Sequence, residues 1–396
     1  MNFLFPTPVI YDGNESRYLQ RDGARFATYL SEQGHSAKKI IIDEGKGLPQ
    51  PQSPLLEKAS ITDWHSSEYW QKHNADVVLL YGGFAPRMLP IAKAIRKATP
   101  FLALKLDSSL GVHSPFYKPG LMINKKYHIF HQNRPCIVSG ILAILWWIKQ
   151  AIISKKSFYR EYFPLFDLIT AESSIAAENT RNYFNKIGLT KEAKKVIVLP
   201  HPVSAAFSET TQCEKENLII AVAADWSNPL KGGKLLIKSL TKVLARHTDY
   251  SAIIVGDNFD GLKKLSNKAG DDIASRIKFV GKLDSDQIAP YYQKSKIHII
   301  TSGSEAAPNS ASEALTSRCS LVFSKNLLQL QPISESGFAT ISNCRSPTAF
   351  ANAISNEIIK WQWQQNYQQT IQQAFQHSSN IRTLSKNLTM NINTKC

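Results

Sequence analysis

Two glutamates and a lysine are the residues of this chain best placed by type and spacing to do chemistry. The block TSGSEAAPNSASEALTS, residues 301 to 317, includes Glu305 and Glu313, eight positions apart, and follows the apolar run KIHII. Pro308 and Asn309 mark a turn, and Ser310 predicts an N-cap for a helix that carries Glu313 in its first turn. Such a helix offers free N–H groups and a positive dipole end, which suit a diphosphate. The spacing then lets one acid face a sugar while the other reaches a ribose across that diphosphate. On spacing alone, two solvated surface glutamates are the commoner arrangement, because acids near a helix start are favoured by the dipole in any case. Lys231 and Gly232 lie in ADWSNPLKGGKLLIKSL, residues 224 to 240. A lysine there is a strong catalytic device if phosphate charge develops against it in a dry cleft. Otherwise it is an ordinary lysine at a loop-to-helix junction.

The elements that must hold these residues alternate in kind. In the first half MNFLFPTPVI, KKIIID, ADVVLLYGG, FLALKLD, FDLITAES and KKVIVLP read as strands, with GARFATYLSEQGH, FAPRMLPIAKAIRKA and SIAAENTRNYFNKIG as helices between them. After a polar stretch without periodicity, a second series begins. Its strands are LIIAVAA, SAIIVGD, IKFVGK, KIHIITS and SLVFS, and its helices are KLLIKSLTKVLARH, DQIAPYYQKS and SASEALTS. Helical crossovers between strands predict two parallel sheets, hence an α/β fold of two Rossmann-like domains, with ligands outside the carboxyl ends of the strands and the cleft between domains as the expected site. The expected boundaries are 1–201 for the first domain, 202–217 for the linker, 218–375 for the second domain and 376–396 for a helical tail that returns to the first domain.

The chain has 396 residues, 47 Lys plus Arg against 31 Asp plus Glu, and a formal net charge of +16. That excess attracts polyanions: nucleic acid, an anionic membrane face or phosphorylated ligands. No helix-turn-helix, zinc finger or aromatic RNP strand accompanies the charge, so nucleic acid is not the expected partner. The five cysteines include no CxxC pair, which predicts a reduced, cytoplasmic setting, and the first residues read as a strand rather than a signal peptide. CIVSGILAILWWI, from Cys136 to Ile148, is too short to span a bilayer. With Lys149, Lys155, Lys156 and Arg160 behind it, the segment suits the interface of an anionic leaflet, with Trp146 and Trp147 at headgroup depth. A helix packed into the core or the cleft suits the same pattern.

A strand, a loop, Pro-Asn and a second Glu eight after the first resemble the E-x7-E motif of GT-B glycosyltransferases of group 1, also called family 4. Pro308, Asn309, Ala314 and Leu315 match the family's wording as well, and Lys231-Gly232 resembles its Lys-Gly. VLPHPV with Phe207, IIVGD at Gly256 and FVGKLDSDQIAPYYQKS (279–295) extend the likeness in the family's order. The resemblance implies that Glu305 lies by the donor sugar, that Glu313 binds the ribose, and that amides at Asn309 and Ser310 hold phosphate. It also implies that Lys231 grips the diphosphate and that the loop at Gly281 lies beside the base. Departures are equally specific. Trp226 stands where many relatives carry an Arg five residues before the Lys, with Lys234 as a substitute cation. YDGNESRYLQRDGAR lacks the usual Gly-Gly of the first loop, and SRCS (317–320) replaces a small-residue turn with Gly. Asp107 ends the strand where relatives place a His, with His113 as the nearest histidine downstream. Gly82 and Gly83 either let a ligand approach the backbone or simply make a turn.

The resemblance implies sugar transfer from a nucleoside diphosphate donor to a hydroxyl acceptor, with retention and without metal or cofactor. Glu305, Lys231 and Asp107 would be the catalytic residues, with Lys231, Gly232, Gly281, Asn309, Ser310 and Glu313 holding the donor. The acceptor class is a saccharide or a lipid-linked saccharide, as in cell-surface polysaccharide or glycolipid synthesis, and the expected location is the cytoplasm or the inner membrane face. A nucleotide-sugar epimerase and a catalytically idle nucleotide- or glycan-binding protein of the same fold share these features.

Overall fold

In the computed structural model, thirteen strands among the described residues form two sheets in which every pairing is parallel. The structure describes the chain apart from residues 21, 46, 83–84, 109–110, 114–122, 124–125, 128–134, 153–154, 208–213, 306–307, 365–366 and 376–396. The expected C-terminal tail and Gly83 therefore lie outside the described residues. The first sheet contains β1 (Asn2–Ile10), β2 (Ser36–Asp43), β3 (Leu56–Ser60), β4 (Val77–Gly82), β5 (Phe101–Leu106), β6 (Leu168–Ala171) and β7 (Val196–Val198), in the order β3-β2-β1-β4-β5-β6-β7. The second contains β8 (Glu216–Asp225), β9 (Ser251–Asp257), β10 (Ile277–Val280), β11 (Ser295–Ile300), β12 (Ser320–Ser324) and β13 (Ala339–Ser342), in the order β10-β9-β8-β11-β12-β13. Both orders are those of a Rossmann-like doubly wound sheet.

The helices used below are α1 (Asp22–Glu32), α2 (Met88–Arg96), α3 (Cys136–Ile152), α4 (Ser174–Lys186), α5 (Gly233–Leu244), α6 (Ser285–Lys294), α7 (Asn309–Thr316) and α8 (Pro347–Trp363). Their burial of both sheet faces explains the near-continuous apolar strands. In β8, Ile219, Ala221 and Ala223 enter the core with Leu236, Ile237 and Leu240 of α5 and with Phe350 and Ile354 of α8. The intervening Leu218 and Ile220 enter the opposite core with Ile288 and Tyr292 of α6 and with Ala311, Ala314 and Leu315 of α7. In β4, Val78 and Leu80 pack with Ile91 and Ile95 of α2, while Val77, Leu79 and Tyr81 pack with Phe26 and Leu30 of α1.

The chain divides into two compact units, and it passes from one to the other between Pro202 and Val203. The described residues of 1–114 and 154–202 make the first unit; those of 115–153 group with the second. Helix α3 thus belongs with the second unit, although the chain reaches it before β6. Among the described residues, no helix is long and apolar enough to cross a membrane.

Candidate nucleotide-binding site

The second sheet reverses direction between β8 and β11, where strand order steps from the third-laid side of the sheet to the other. Crossover helices leave in opposite directions there, so the loops after these two strands line a crevice at the strands' carboxyl ends, the usual ligand position in such sheets. Lys231 is on the loop after β8 and Glu305 on the loop after β11. They meet: Lys231 Nζ lies 2.7 Å from Glu305 Oε1, with the lysine side chain 29% and the glutamate 16% exposed.

The local sequence makes that meeting rigid. Asn228 accepts the Leu230 N–H at 3.0 Å and caps a single 3-10 turn, Pro229–Lys231, whose proline presets its first residue. Gly232 then takes the left-handed conformation, φ 72°, and starts α5. The two loops are tied backbone to backbone, with Gly303 N–H donating to Leu230 O at 2.7 Å and the Thr301 hydroxyl donating to Lys231 O at 2.7 Å. Gln329 Nε2 donates to Glu305 O at 3.0 Å from the far side. A Cβ on Gly232 would come within 2.6 Å of Thr301 O. Only glycine permits both this φ and this approach.

Helix α7 begins two residues earlier than Ser310 predicts. Pro308 occupies the N-cap and Asn309 is the first helical residue, so no side chain caps this N-terminus. Proline supplies no side-chain acceptor, and its fixed φ suits the extended entry. The earlier start also carries Glu313 out of the first turn, so it stands deeper than a dipole-favoured acid would. Asn309 is exposed, and Ser310 and Glu313 are half-buried. Burial, with the Glu313 charge adding to it, pushes the Tyr292 hydroxyl well above its ordinary pKa. After α7, Arg318 holds φ 65°, the left-handed turn for which relatives use glycine. The SRCS stretch thus keeps the turn with a different residue. Cys319 goes to the core beside the buried Lys215, whose Nζ donates to Tyr292 O at 3.0 Å, Ser295 O at 2.7 Å and Ser317 O at 2.7 Å.

Other expected residues are placed elsewhere. Gly281 follows edge strand β10, two strands from β8, and is exposed with nothing within 4 Å of a Cβ added to it. Lys234 is exposed on α5. Trp226 is buried, its Nε1 donating to Val255 O at 2.9 Å. In the first unit, Asp107 is exposed at the end of β5 and His113 is half-buried in the loop that follows; Gly82 ends β4 at that sheet's own reversal beside β1.

Residues 205–377 match the family model described as glycosyl transferases group 1. The matched stretch lies within the second unit. Solved structures align with the whole chain. They include a glycosyltransferase from Rickettsia africae, at 15% identity and a TM-score of 0.63 over 98% of each chain. Anabaena HepE in complex with UDP aligns at 16% and 0.63 over 100% of each chain. WaaG, a glycosyltransferase involved in lipopolysaccharide biosynthesis, aligns at 13% and 0.59 over 97% of this chain and 98% of its own. No curated protein sequence matches the chain significantly. At these identities the structures establish the fold, that of GT-B glycosyltransferases.

Two further features of the structure have no counterpart in the sequence motifs. Arg345, in the loop between β13 and α8, donates from Nη2 to Thr301 O at 3.1 Å, beside Lys231 and Glu305 in the fold though far from both in sequence. In the first unit Glu172, just past β6, is buried against His201 Nε2 at 2.8 Å, and its Oε2 has no hydrogen-bond partner among the described residues. A lone arginine before Ser-Pro and a glutamate before a helix carry no spacing signal.

Proposed function

We propose that the chain transfers a sugar from a nucleoside diphosphate sugar to a hydroxyl of a saccharide or lipid-linked acceptor, with retention of configuration and without a metal or cofactor. The observation that carries this reading is the Lys231–Glu305 pair at the β8/β11 reversal, on the strand preceding the uncapped helix α7. The anomeric carbon–oxygen bond to the diphosphate breaks as the acceptor oxygen bonds to that carbon, and the acceptor hydroxyl's proton passes to the departing phosphate oxygen. Lys231 and the α7 amides at Asn309 and Ser310 take up the charge left on the diphosphate. Glu305 orients the sugar and holds Lys231 in place before the donor arrives, Glu313 takes the ribose, and Gly232 lets phosphate approach the backbone. Gly281 borders the base, and Asp107 is a catalytic residue of the first unit. Residues 218–375 form the donor domain, and the described residues of 1–114 and 154–202 the acceptor domain.

Support for a membrane-associated acceptor comes from α3. Ile137, Val138, Ile141, Ile144, Leu145 and Ile148 are all exposed, at spacings that draw one apolar stripe along the helix. Trp146 and Trp147 are half-buried, and Lys126 Nζ stands 4.7 Å from the Trp146 ring. The aliphatic stripe, with Lys149, Lys155 and Lys156 after it, is the surface we assign to an anionic bilayer, on the cytoplasmic face where the donor is available.

The test is turnover. Lys231→Ala should fold normally and transfer sugar roughly 100- to 1000-fold more slowly, the scale for loss of one preorganised charge contact. Transfer at the wild-type rate would remove Lys231 from the reaction; donor binding without any transfer by the wild type would favour an idle nucleotide-binding protein. For the membrane, Ile141→Glu with Leu145→Glu should abolish binding to vesicles containing phosphatidylglycerol. Unchanged vesicle binding would exclude the stripe.

A further inference from the structure

Lys231 is the lysine of the donor site as read above, and Trp226, five residues before it, is buried. Its indole cannot be exchanged for a charge at no cost, being buried, bonded to Val255 O and packed 3.3 Å from a Cβ position on Gly233. Lys234 is exposed on α5 and makes no contact with the crevice loops that the structure records. A guanidinium does reach the two loops that line the crevice, from the loop between β13 and α8.

Arg345 lies in a slot made by two glycines, one on each of the loops that carry Lys231 and Glu305. A Cβ on Gly232 would stand 3.0 Å from Arg345 Nη2, and a Cβ on Gly303 would stand 2.8 Å from Nη1 and 3.2 Å from Cζ. Any side chain at either position would therefore occupy the guanidinium's place. Nη2 donates to Thr301 O at 3.1 Å, and the same threonine's hydroxyl donates to Lys231 O at 2.7 Å. The guanidinium is thus fixed against the residue after Lys231 and two residues before Glu305. Burial draws its pKa down from the ordinary arginine value. A planar, preorganised fork of donors is the group best matched to phosphate oxygens.

We infer that Arg345 is a diphosphate-binding residue of this chain, supplying from the β13–α8 loop a second cation beside Lys231. The inference rests on the donor-site reading above. It makes the two loops and the β13–α8 loop one charged wall: Lys231 from one side of the crevice, Arg345 from behind Gly232 and Gly303.

The experiment is calorimetric titration of UDP, GDP and ADP and of the matching monophosphates into wild type, Arg345→Gln and Arg345→Lys. For the base that binds, the ratio of diphosphate to monophosphate affinity should fall roughly tenfold or more in Arg345→Gln, the scale of one charge-assisted hydrogen bond. Arg345→Lys should recover part of it. An unchanged ratio in Arg345→Gln, or an equal weakening of both ligands that lysine does not rescue, would assign Arg345 a purely structural role and overturn the inference. Should Arg345→Gln not fold, phenylglyoxal modification of the wild type gives the reading: UDP, GDP or ADP should protect Arg345 where the monophosphate does not, and equal protection overturns the inference. If the wild type binds none of the diphosphates, the donor-site reading itself falls, and this inference with it.

Discussion

Replacing Gly232 by alanine should damage the second unit far more than its size suggests. The residue holds φ 72°, a conformation that costs an L-amino acid about 1–2 kcal/mol. The new methyl would also stand 2.6 Å from Thr301 O and 3.0 Å from Arg345 Nη2. Neither neighbour yields easily, since Thr301 is buried at the end of β11 and the guanidinium is bonded to it. Overpacking of this kind costs roughly 1–3 kcal/mol. Alanine's smaller unfolded-state entropy returns about 0.4–1 kcal/mol. The net loss is therefore about 2–4 kcal/mol, or roughly 4–16 °C in the melting midpoint of a unit this size. Gly281→Ala is the matched control, because its φ is not positive and nothing lies within 4 Å of its added Cβ; it should stay within about 0.5 kcal/mol of the wild type. Urea unfolding followed by tryptophan fluorescence measures both. Equal stability of Gly232→Ala and Gly281→Ala would refute the geometry assigned to the crevice.

Three other perturbations test the frame around the site. Trp226→Arg should cost roughly 3–5 kcal/mol, because a large buried indole is lost from the core; a thermal midpoint at or above the wild type would show that the indole is not structural. Lys215→Met leaves three buried carbonyls without their shared donor and should cost roughly 2–4 kcal/mol, read by chemical denaturation; an unchanged midpoint would contradict it. His298 is fully buried on β11 with Nδ1 3.1 Å from Ile220 O, and burial lowers its pKa to about 4. The unfolded chain takes up that proton near pH 6.5 and the folded chain does not, so stability falls as pH drops from about 6.5 to about 4, by about 3 kcal/mol in all. His298→Gln should flatten stability across that window alone, and an identical pH profile would show that the group titrates normally.

Much of this frame was legible because parallel strands buried on both faces carry near-continuous apolar runs, as VVLLY of β4 and LIIAVAA of β8 do. Strands β3 and β13 escaped for the converse reason. LEKAS carries Glu57 and Lys58 on a sheet edge, where Lys38 lies 2.9 Å from Glu57 and Lys58 lies 2.8 Å from Asp43, and ATIS spans only Ala339–Ser342. The start of α7 was misplaced because serine is the better cap by propensity, while the chain uses Pro308 and leaves the helix end open. Glu305, Glu313 and Lys231 were singled out by the resemblance of their motifs to a known family, not by their spacing alone. Arg345 was not, since its role depends on a slot between two loops more than forty residues upstream. The tryptophans of α3 drew the eye in sequence, yet the exposed stripe is aliphatic.

The central claim, a nucleoside diphosphate site at the β8/β11 reversal, is tested most directly by thermal-shift titration of UDP, GDP and ADP with their sugar conjugates against wild type and Glu313→Ala. A ligand that binds only the folded chain must raise its midpoint. The account predicts a shift with one base that is lost or sharply reduced in Glu313→Ala. A shift of equal size in the variant, or none with any of these ligands in the wild type, would contradict it.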